Sequence, residues 1–443
     1  MLQAGVAEGT ITPPLGIRLS GYGGRTEPAD CVRDDLRCQA LVLDDGNTRI
    51  ALVTCDLIGL PVSLAHTWRA QIAAAVAAPE AHVLIGCSHT HGGPQTGVFG
   101  ERPTAREAAY LAHVEQCLVG AAEMAAARLQ PAAPRLSSGQ RRLQRNRRDR
   151  LAGPHGPVDD GLGVLVLNDL AAGAPLAVVV HYACHPVALR NNNLGWSADY
   201  VGWLREAVTK ATGATCIFLQ GAAGDLIPDP GHPDVAAEGS AGAEFDDRGK
   251  GFPEAVEDQV VLAQRFGRAV GVAAARLCKN GAGAPQATSR RPGATAALRN
   301  DAADSWRLGG VLRTFWARFA LDKEPQTAAE RAAGAPVAFE VQCLRIGPLA
   351  MVGLPVEPLN ALGLRLRALT SEAEGRLAVW CAGYANGCYG YLAPADEYPR
   401  GGYEPGSAHR FYGRPGPFAP DTADRVVEAA TSGLTGLWRE IHA

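Results

Sequence analysis

The chain has 443 residues, of which 47% are hydrophobic and 20% charged, as in globular proteins with one large domain or two of ordinary size. A net charge of −3 argues against nucleic acid as the main partner, because phosphate binding requires a basic face. No run of about twenty apolar residues is present, so we expect no integral membrane association.

The first residues do not combine a charged segment with an apolar core, as a secretory signal would. Eleven cysteines, an odd number without CxxC pairs, indicate reduced thiols and not a disulfide framework. We therefore expect a cytoplasmic protein. The sequence leaves its oligomeric state open.

Taken in order, the chain alternates pairs of apolar strands with amphipathic helices. Strands are predicted at 37–43, 49–57, 81–86, 164–167, 176–182, 215–219, 337–346, 349–354 and about 377–382. Helices are predicted at 60–77, 104–129, 199–211, 255–279, 359–370 and 421–440. Residues 229–254 form a predicted long loop, and 280–300 a flexible connection. This order predicts one mixed α/β (α+β) domain over 1–443.

The most informative stretch is Ser88-His89-Thr90-His91-Gly92-Gly93-Pro94, which follows the predicted strand 81–86. If the strand continues, the two histidines point the same way, because side chains alternate across a strand. Imidazole is a common zinc ligand, and the glycines leave space above the rings. An isolated His-x-His motif is short, so hydrogen bonding of both rings to loop backbone stays an equal alternative.

Other chemistry-bearing residues also follow predicted strands. His185 follows the strand at 176–182, and Glu357 lies between two prolines after the strand at 349–354. Carboxylates are seldom buried without a partner, so Glu357 suggests a site, although a surface loop is the alternative. Arginine is dense from 135 to 150, and most of that segment is expected to be a solvated face.

Seven motifs occur in a fixed order along the chain. They are Ser88–Pro94, His185 with Asp199, Gly221–Pro228, Arg248–Pro253, Pro355–Glu357, Gly383–Tyr391 and Asp396–Glu404. Over most of 1–420 the chain resembles the catalytic domain of the neutral (non-lysosomal) ceramidase family. The resemblance implies two stacked mixed β-sheets flanked by helices, with a zinc site at their mouth.

The resemblance also implies roles for individual residues. One zinc ion per chain would be held by His89, His185, Glu357 and Tyr391. His91 would contact the reacting group, Tyr403 would help to stabilise the oxyanion, and Arg147 would lie at the rim of the site.

The residue types fit the chemistry of a metal-dependent hydrolase. Two imidazoles, a carboxylate and a phenolate form a nitrogen/oxygen site suited to zinc. Metal-bound hydroxide would attack the carbonyl of a linear N-acyl amide, with Tyr403 or His91 stabilising the developing charge. His91 or Asp225 would then move the proton to the leaving amine.

Two departures from the family bear on the substrate. Ile227 stands where the ceramidases carry a serine near the metal. The chain also ends soon after the Tyr403 region, so we expect a short, non-secreted member without the C-terminal immunoglobulin-like domain. The expected substrate is a small soluble amide that need not be ceramide.

Four alternatives remain open from the sequence. A zinc esterase or lactonase on the same fold would use the same residues. A barrel-type metal amidohydrolase also begins with His-x-His, but it would require eight strand–helix units and further histidines. A catalytically inactive binding protein could keep the scaffold, and the arginines at 141–150 could serve an anionic partner.

Overall fold

The computed structural model describes residues 1–149, 156–236, 252–279, 312–320, 338–372 and 378–439. The strands are β1 Gln3–Thr10, β2 Cys31–Val32, β3 Arg37–Asp44, β4 Arg49–Cys55, β5 Val83–Cys87, β6 Gln130–Gln140, β7 Gln144–Asn146, β8 Gly161–Asp169, β9 Pro175–Tyr182, β10 Gly195–Trp196, β11 Thr215–Gln220, β12 Leu226–Pro228, β13 Leu312–Ala320, β14 Ala338–Ile346, β15 Leu349–Gly353, β16 Glu357–Pro358, β17 Ala378–Ala382 and β18 Tyr391–Leu392. The helices are α1 Val62–Ala75, α2 Ala105–Ala127, α3 Tyr200–Thr212, α4 Val256–Lys279, α5 Asn360–Glu372 and α6 Thr422–Arg439.

Two mixed sheets carry the fold. The large sheet has the order β11-β9-β8-β6-β1-β3-β4-β5, and the small sheet has the order β13-β14-β15-β17. One apolar cluster takes Leu41, Leu165 and Val179 from the large sheet and Leu344 and Met351 from the small one. The facing sides of the two sheets are thus buried against each other, and each such fully buried side chain stabilises the fold by roughly 1.5–3 kcal/mol.

Helices cover the outer faces of both sheets. Helices α1 and α2 pack with β3 and β4, and α3 and α4 pack with β9 and β11. The small sheet is covered by α5 and α6. The prediction of two stacked mixed sheets flanked by helices is therefore confirmed. The prediction of one domain over 1–443 stays a prediction, because it includes residues outside the described ranges.

One supersecondary unit occurs three times: an antiparallel hairpin, a crossover helix, and a strand parallel to the second strand of the hairpin. The units are β3-β4-α1-β5, β8-β9-α3-β11 and β14-β15-α5-β17. The first hairpin follows its turn chemistry, because Asp44 and Asp45 accept backbone N–H groups in the loop and Gly46 adopts a φ of 91°. Each unit ends two of its strands at the functional site described below.

The ends of the large sheet come together at that site. Strands β5 and β11 are its two edges, yet a Cβ on Gly86 would lie 3.4 Å from Leu219 Cδ1. The side chain of Gln220 then joins the loops that follow β5 and β9, donating to Ser88 O at 3.0 Å and to Cys184 O at 2.8 Å. Curvature of the sheet thereby brings distant histidine-bearing loops into contact.

Strands β6 and β13 are among those that arise where the sequence pattern predicted none. Strand β6 contains two prolines but pairs with β8 over residues 132–140, and β13 pairs with β14. Of the predicted irregular segments, 280–300 and part of 229–254 lie outside the described residues. Within the described ranges, no helix combines the length and apolarity needed to cross a membrane.

Candidate metal centre and its surroundings

His89 lies in the loop after β5 in a conformation that is uncommon for a side-chain-bearing residue. Its φ is 67°, and its backbone N–H donates to Leu57 O at 3.0 Å. The ring stacks on Tyr384 with centroids 4.1 Å apart, and Nδ1 contacts Ile58 O. Because a carbonyl oxygen only accepts, Nδ1 must carry the proton and Nε2 must present a lone pair.

His185 lies in the loop after β9 and is held in the same tautomer. Its Nδ1 lies 2.5 Å from Ala223 O, and its backbone N–H donates to Leu226 O at 2.8 Å. The ring is fully buried. Its Nε2 is thus also an unprotonated acceptor in the neutral ring.

Glu357 reaches the same point from the small sheet. It begins β16, which pairs in parallel with β18 so that Glu357 is opposite Tyr391. The hydroxyl of Tyr412 donates to Glu357 Oε1. The other oxygen, Oε2, is buried and accepts no hydrogen bond from any residue in the described ranges.

Three lone-pair atoms converge at this point. His89 Nε2 lies 3.1 Å from His185 Nε2, and Glu357 Oε2 lies 3.2 and 3.3 Å from these two nitrogens. A tetrahedral zinc ion with bonds of about 2.0–2.1 Å holds its ligands about 3.3–3.4 Å apart. Three buried acceptors facing one another repel unless a cation lies between them, so this donor set fits a metal ion such as zinc.

The electrostatics of His185 and Glu357 agree with that arrangement. Burial lowers the pKa of His185 to about 4, although Glu357 acts in the opposite direction. Burial alone would raise the pKa of Glu357, but the adjacent His89 and His185 hold it well below its ordinary value. The site therefore presents neutral imidazole and ionised carboxylate, the forms that bind metal.

His91 lies beside this cluster. One of its ring nitrogens is within 4.8 Å of those of His89 and His185, and neither nitrogen has a hydrogen-bond partner among the residues that the structure describes. Burial, together with the two neighbouring histidines, lowers the pKa of His91 well below its ordinary value. Gly21 makes room for this ring: its φ is 97°, and a Cβ there would lie 2.5 Å from His91 Nδ1.

Tyr391 and Arg147 form the opposite wall. Arg147 Nη2 donates to the Tyr391 hydroxyl at 3.0 Å and to Gly224 O at 2.8 Å, and Arg147 Nε donates to Glu404 at 2.7 Å. Tyr403 packs edge-on against Tyr391, with ring centroids 5.5 Å apart, and 41% of Tyr403 is exposed. Burial raises the pKa of both tyrosine hydroxyls, so both keep their protons at neutral pH when no metal ion is bound.

The arginine-dense segment is not uniformly a solvated face. Arg148 is only 2% exposed and pairs with two buried carboxylates, Glu397 at 2.8 Å and Glu404 at 2.6 Å. Glu404 thus holds Arg148 on one oxygen and Arg147 on the other. The expectation of a solvated face is wrong for Arg148, since its carboxylate partners come from a loop some 250 residues away in sequence.

Asp225 is placed in a supporting position. Its oxygens accept from the Asn360 backbone N–H at 2.7 Å and from Asn146 Nδ2 at 2.9 Å. Burial raises its pKa to about 6. None of the described contacts of Asp225 joins it to His89, so proton transfer by Asp225 stays a prediction. The bonds that it makes position the loop that carries Ala223.

Two contributors were missed from the sequence. Tyr412, which donates to Glu357, lies outside every motif, and no local pattern distinguishes it. Gln220 lies just before the motif Gly221–Pro228 and carries no sequence signal of its own, yet its side chain joins the two histidine loops. Ile227 packs in the apolar core with the large sheet, α3 and α4, and is 4% exposed.

Comparison with known proteins identifies relatives, although no family model matches the chain. The neutral ceramidase of Pseudomonas aeruginosa is 25% identical over 388 residues, which cover 74% of this chain. The chain is a homologue of the neutral ceramidases. The neutral ceramidase of Mycobacterium tuberculosis is 44% identical over 69 residues, covering 15% of this homologue.

Solved structures extend the likeness to nearly the whole homologue. The crystal structure of the Pseudomonas neutral ceramidase superposes with a TM-score of 0.74 at 18% identity, over 99% of this chain and 75% of that one. A ceramidase complexed with C2 gives 0.73 at 17% identity with the same coverage. At these identities the superpositions establish a ceramidase-like hydrolase fold. The matched sequence spans only 56% of the Pseudomonas enzyme and 11% of the Mycobacterium one.

Proposed function

We propose that this neutral ceramidase homologue is a zinc-dependent hydrolase that cleaves the amide bond of a small linear N-acyl compound. One observation carries the proposal: the convergence of His89 Nε2, His185 Nε2 and Glu357 Oε2 within 3.1–3.3 Å of one another. Tyr391, opposite Glu357 in the β16–β18 pair, is the fourth proposed ligand. A zinc ion held there supplies Lewis acidity toward the carbonyl and lowers the pKa of water toward 7.

The remaining residues then have distinct tasks. His91, as neutral imidazole, accepts a proton from the attacking water and returns it to the amine nitrogen as the carbon–nitrogen bond breaks. Arg147 donates to Tyr391 and fixes the orientation of that phenol. Tyr403 keeps its proton and donates to the oxygen on which negative charge develops. Asp225 anchors the loop whose Ala223 carbonyl orients His185.

Several observations support a reducing compartment and a substrate other than a membrane lipid. All eleven cysteines are free thiols, as expected of a cytoplasmic protein. Ile227 is buried in the core and offers no hydroxyl to a ligand. We therefore propose a cytoplasmic enzyme acting on a small amide.

The first test is the metal content of the purified protein, measured by elemental analysis beside Glu357→Ala. We expect about one zinc per chain in the wild type and a loss of both zinc and amide hydrolysis in the variant. His181→Gln is the control, because His181 is buried like Glu357 but lies on β9, outside the cluster. Zinc that survives in Glu357→Ala, or its absence from the wild type, would refute the proposal.

A further inference from the structure

Two arginines flank one aromatic ring next to His91. The guanidinium carbons of Arg25 and Arg190 lie 5.2 and 5.7 Å from the centre of the Tyr22 ring. The same ring meets His91 edge-on, with centroids 4.8 Å apart. Tyr22 is held in place through its hydroxyl, which donates to Leu189 O at 2.9 Å. The two positive charges and His91, the proposed proton acceptor, therefore contact the same aromatic ring.

The two cations differ in how they are bonded. Arg25 is buried and donates to backbone carbonyls, those of Asn193 at 3.0 Å, His91 at 2.6 Å and Ser20. Arg190 is half-buried, and its guanidinium makes no hydrogen bond or ion pair to any residue in the described ranges. It is positioned by aromatic rings instead. Besides its contact with Tyr22, its guanidinium carbon lies 4.5 Å from the centre of the Phe252 ring.

No carboxylate in the described part of the chain forms an ion pair with Arg190. The charge of Arg190 acts on Asp199 and opposes the rise in the pKa of that carboxyl, which burial brings to about 6. The Asp199 oxygens are nevertheless occupied by the backbone N–H groups of Tyr200, at 2.6 Å, and Leu189, at 2.8 Å. By contrast, Arg147 across the site forms an ion pair with Glu404, which also pairs with Arg148. A half-buried cation that forms no direct ion pair is a costly arrangement that an anionic ligand would relieve.

We infer that Arg190 is a binding site for a carboxylate of the substrate, so that the preferred substrates are carboxylate-bearing N-acyl amides, of which N-acyl amino acids are the simplest. The inference rests on the proposed function, since it assigns the scissile amide to the cluster beside His91. The planar guanidinium presents paired N–H donors that match the two oxygens of a carboxylate. The Tyr22 ring contacts both His91 and Arg190, so it would set the distance between the bound carboxylate and the scissile amide.

The test compares N-octanoylglycine with the neutral N-octanoylethanolamine, which has the same acyl chain. In the wild type, kcat/KM for the glycine compound should exceed that for the ethanolamine compound at least tenfold. Arg190→Gln should lower that ratio by about tenfold or more, and Arg190→Lys should restore part of it. Arg268→Gln is the matched control, because Arg268 also lies over an aromatic ring, that of Trp203 at 5.0 Å, but on α4.

Calorimetric binding of N-octanoylglycine separates this inference from the proposed function. If neither compound is hydrolysed, the proposed function fails, while binding that weakens at least tenfold in Arg190→Gln and is unchanged in Arg268→Gln upholds the carboxylate site. If hydrolysis proceeds with the same ratio in Arg190→Gln as in the wild type, or if both proteins bind the glycine compound equally, the carboxylate site is overturned and the hydrolase proposal stands.

Discussion

His181 and His185 lie four residues apart, one on β9 and the other just beyond its end. Both are buried, and burial lowers the pKa of each to about 4. His181 Nε2 is bonded to Cys381 O at 2.9 Å, and its ring stacks on Trp380 with centroids 5.2 Å apart. His185 Nε2 faces another histidine nitrogen and a carboxylate oxygen.

The difference shows which property distinguishes the proposed metal ligand from a histidine of the core. Burial and a depressed pKa are common to both residues, so neither property distinguishes a site from a well-packed core. What distinguishes His185 is that its acceptor nitrogen meets other acceptors, a contact that is unfavourable without a cation. The ring of His181 instead lies between the two sheets, bonded to a carbonyl oxygen and stacked on Trp380.

The largest predicted effect separates these two residues directly. His185→Ala should lose zinc and at least 1000-fold in kcat/KM, because one of the converging ligands is gone and the remaining groups cannot hold the ion. His181→Gln should keep about one zinc per chain and at least a tenth of the wild-type activity. Elemental analysis and initial rates on an N-acyl amide check both. Zinc loss in His181→Gln as complete as that in His185→Ala would remove the distinction.

Metal removal should lower the stability of proteins that keep His185, whether or not His181 is present. If free zinc is at 100 times its dissociation constant, binding adds about 2.7 kcal/mol to the free energy of unfolding. Chelation should therefore lower the melting temperature of the wild type and of His181→Gln by the same amount. It should leave that of His185→Ala unchanged. A scan of each protein with zinc and with chelator measures the three shifts.

Part of the pH dependence of stability should belong to His181. Its pKa is about 4 in the folded protein, below the unfolded value of about 6.5, so the unfolded chain binds more protons between these values. Stability should therefore fall as the pH falls through this window, by about 2 kcal/mol between pH 7 and 5. Denaturant unfolding of His181→Gln should show that much less acid sensitivity than the wild type.

The control for this experiment is His113→Gln, a change on the exposed side of α2. It should reproduce the wild-type pH dependence of unfolding. Equal acid sensitivity in His181→Gln and the wild type would show that His181 gains its proton in the folded state as easily as in the unfolded chain.

The smallest predicted effect tests the hydrogen bond that orients the carboxylate opposite His185. Tyr412→Phe removes the donor to Glu357 Oε1 and should weaken zinc binding about tenfold without abolishing it. Tyr110→Phe, which removes a buried hydroxyl bonded to Ile11 O far from the cluster, should leave zinc affinity unchanged. Competition with a chromogenic chelator measures both affinities, and equal affinities would exclude the positioning role of Tyr412.

The sequence predicted those parts of the molecule that depend on local pattern. The β3–β4 hairpin follows from its Asp-Asp-Gly-Asn turn, and α2 begins at a capping box between Thr104 and Glu107. Helix α3, predicted at 199–211, begins at Tyr200 with Asp199 as its N-cap. His89, His185 and Glu357 could be singled out because each follows an apolar strand, where side chains gather in open sheets.

What the sequence could not predict depends on contacts between distant segments. Strand β6 was missed because its prolines weaken the strand pattern, and only pairing with β8 reveals it. Arg148 looked solvated because its partners, Glu397 and Glu404, lie in another region of the chain. The donation from Tyr412 to Glu357 has no local signature, since it depends on how the last loops fold over the site.

The threefold use of hairpin and crossover helix has a consequence for the order of events during synthesis. His89 belongs to the first unit, His185 to the second and Glu357 to the third. A ribosome adding about 5–20 residues per second needs on the order of tens of seconds to pass from the first of these residues to the last. Until Glu357 has been made, the nascent chain holds no more than two of the three converging donor atoms. In the proposed zinc enzyme the metal site would therefore be completed only after the third unit has been synthesised and has packed against the first two.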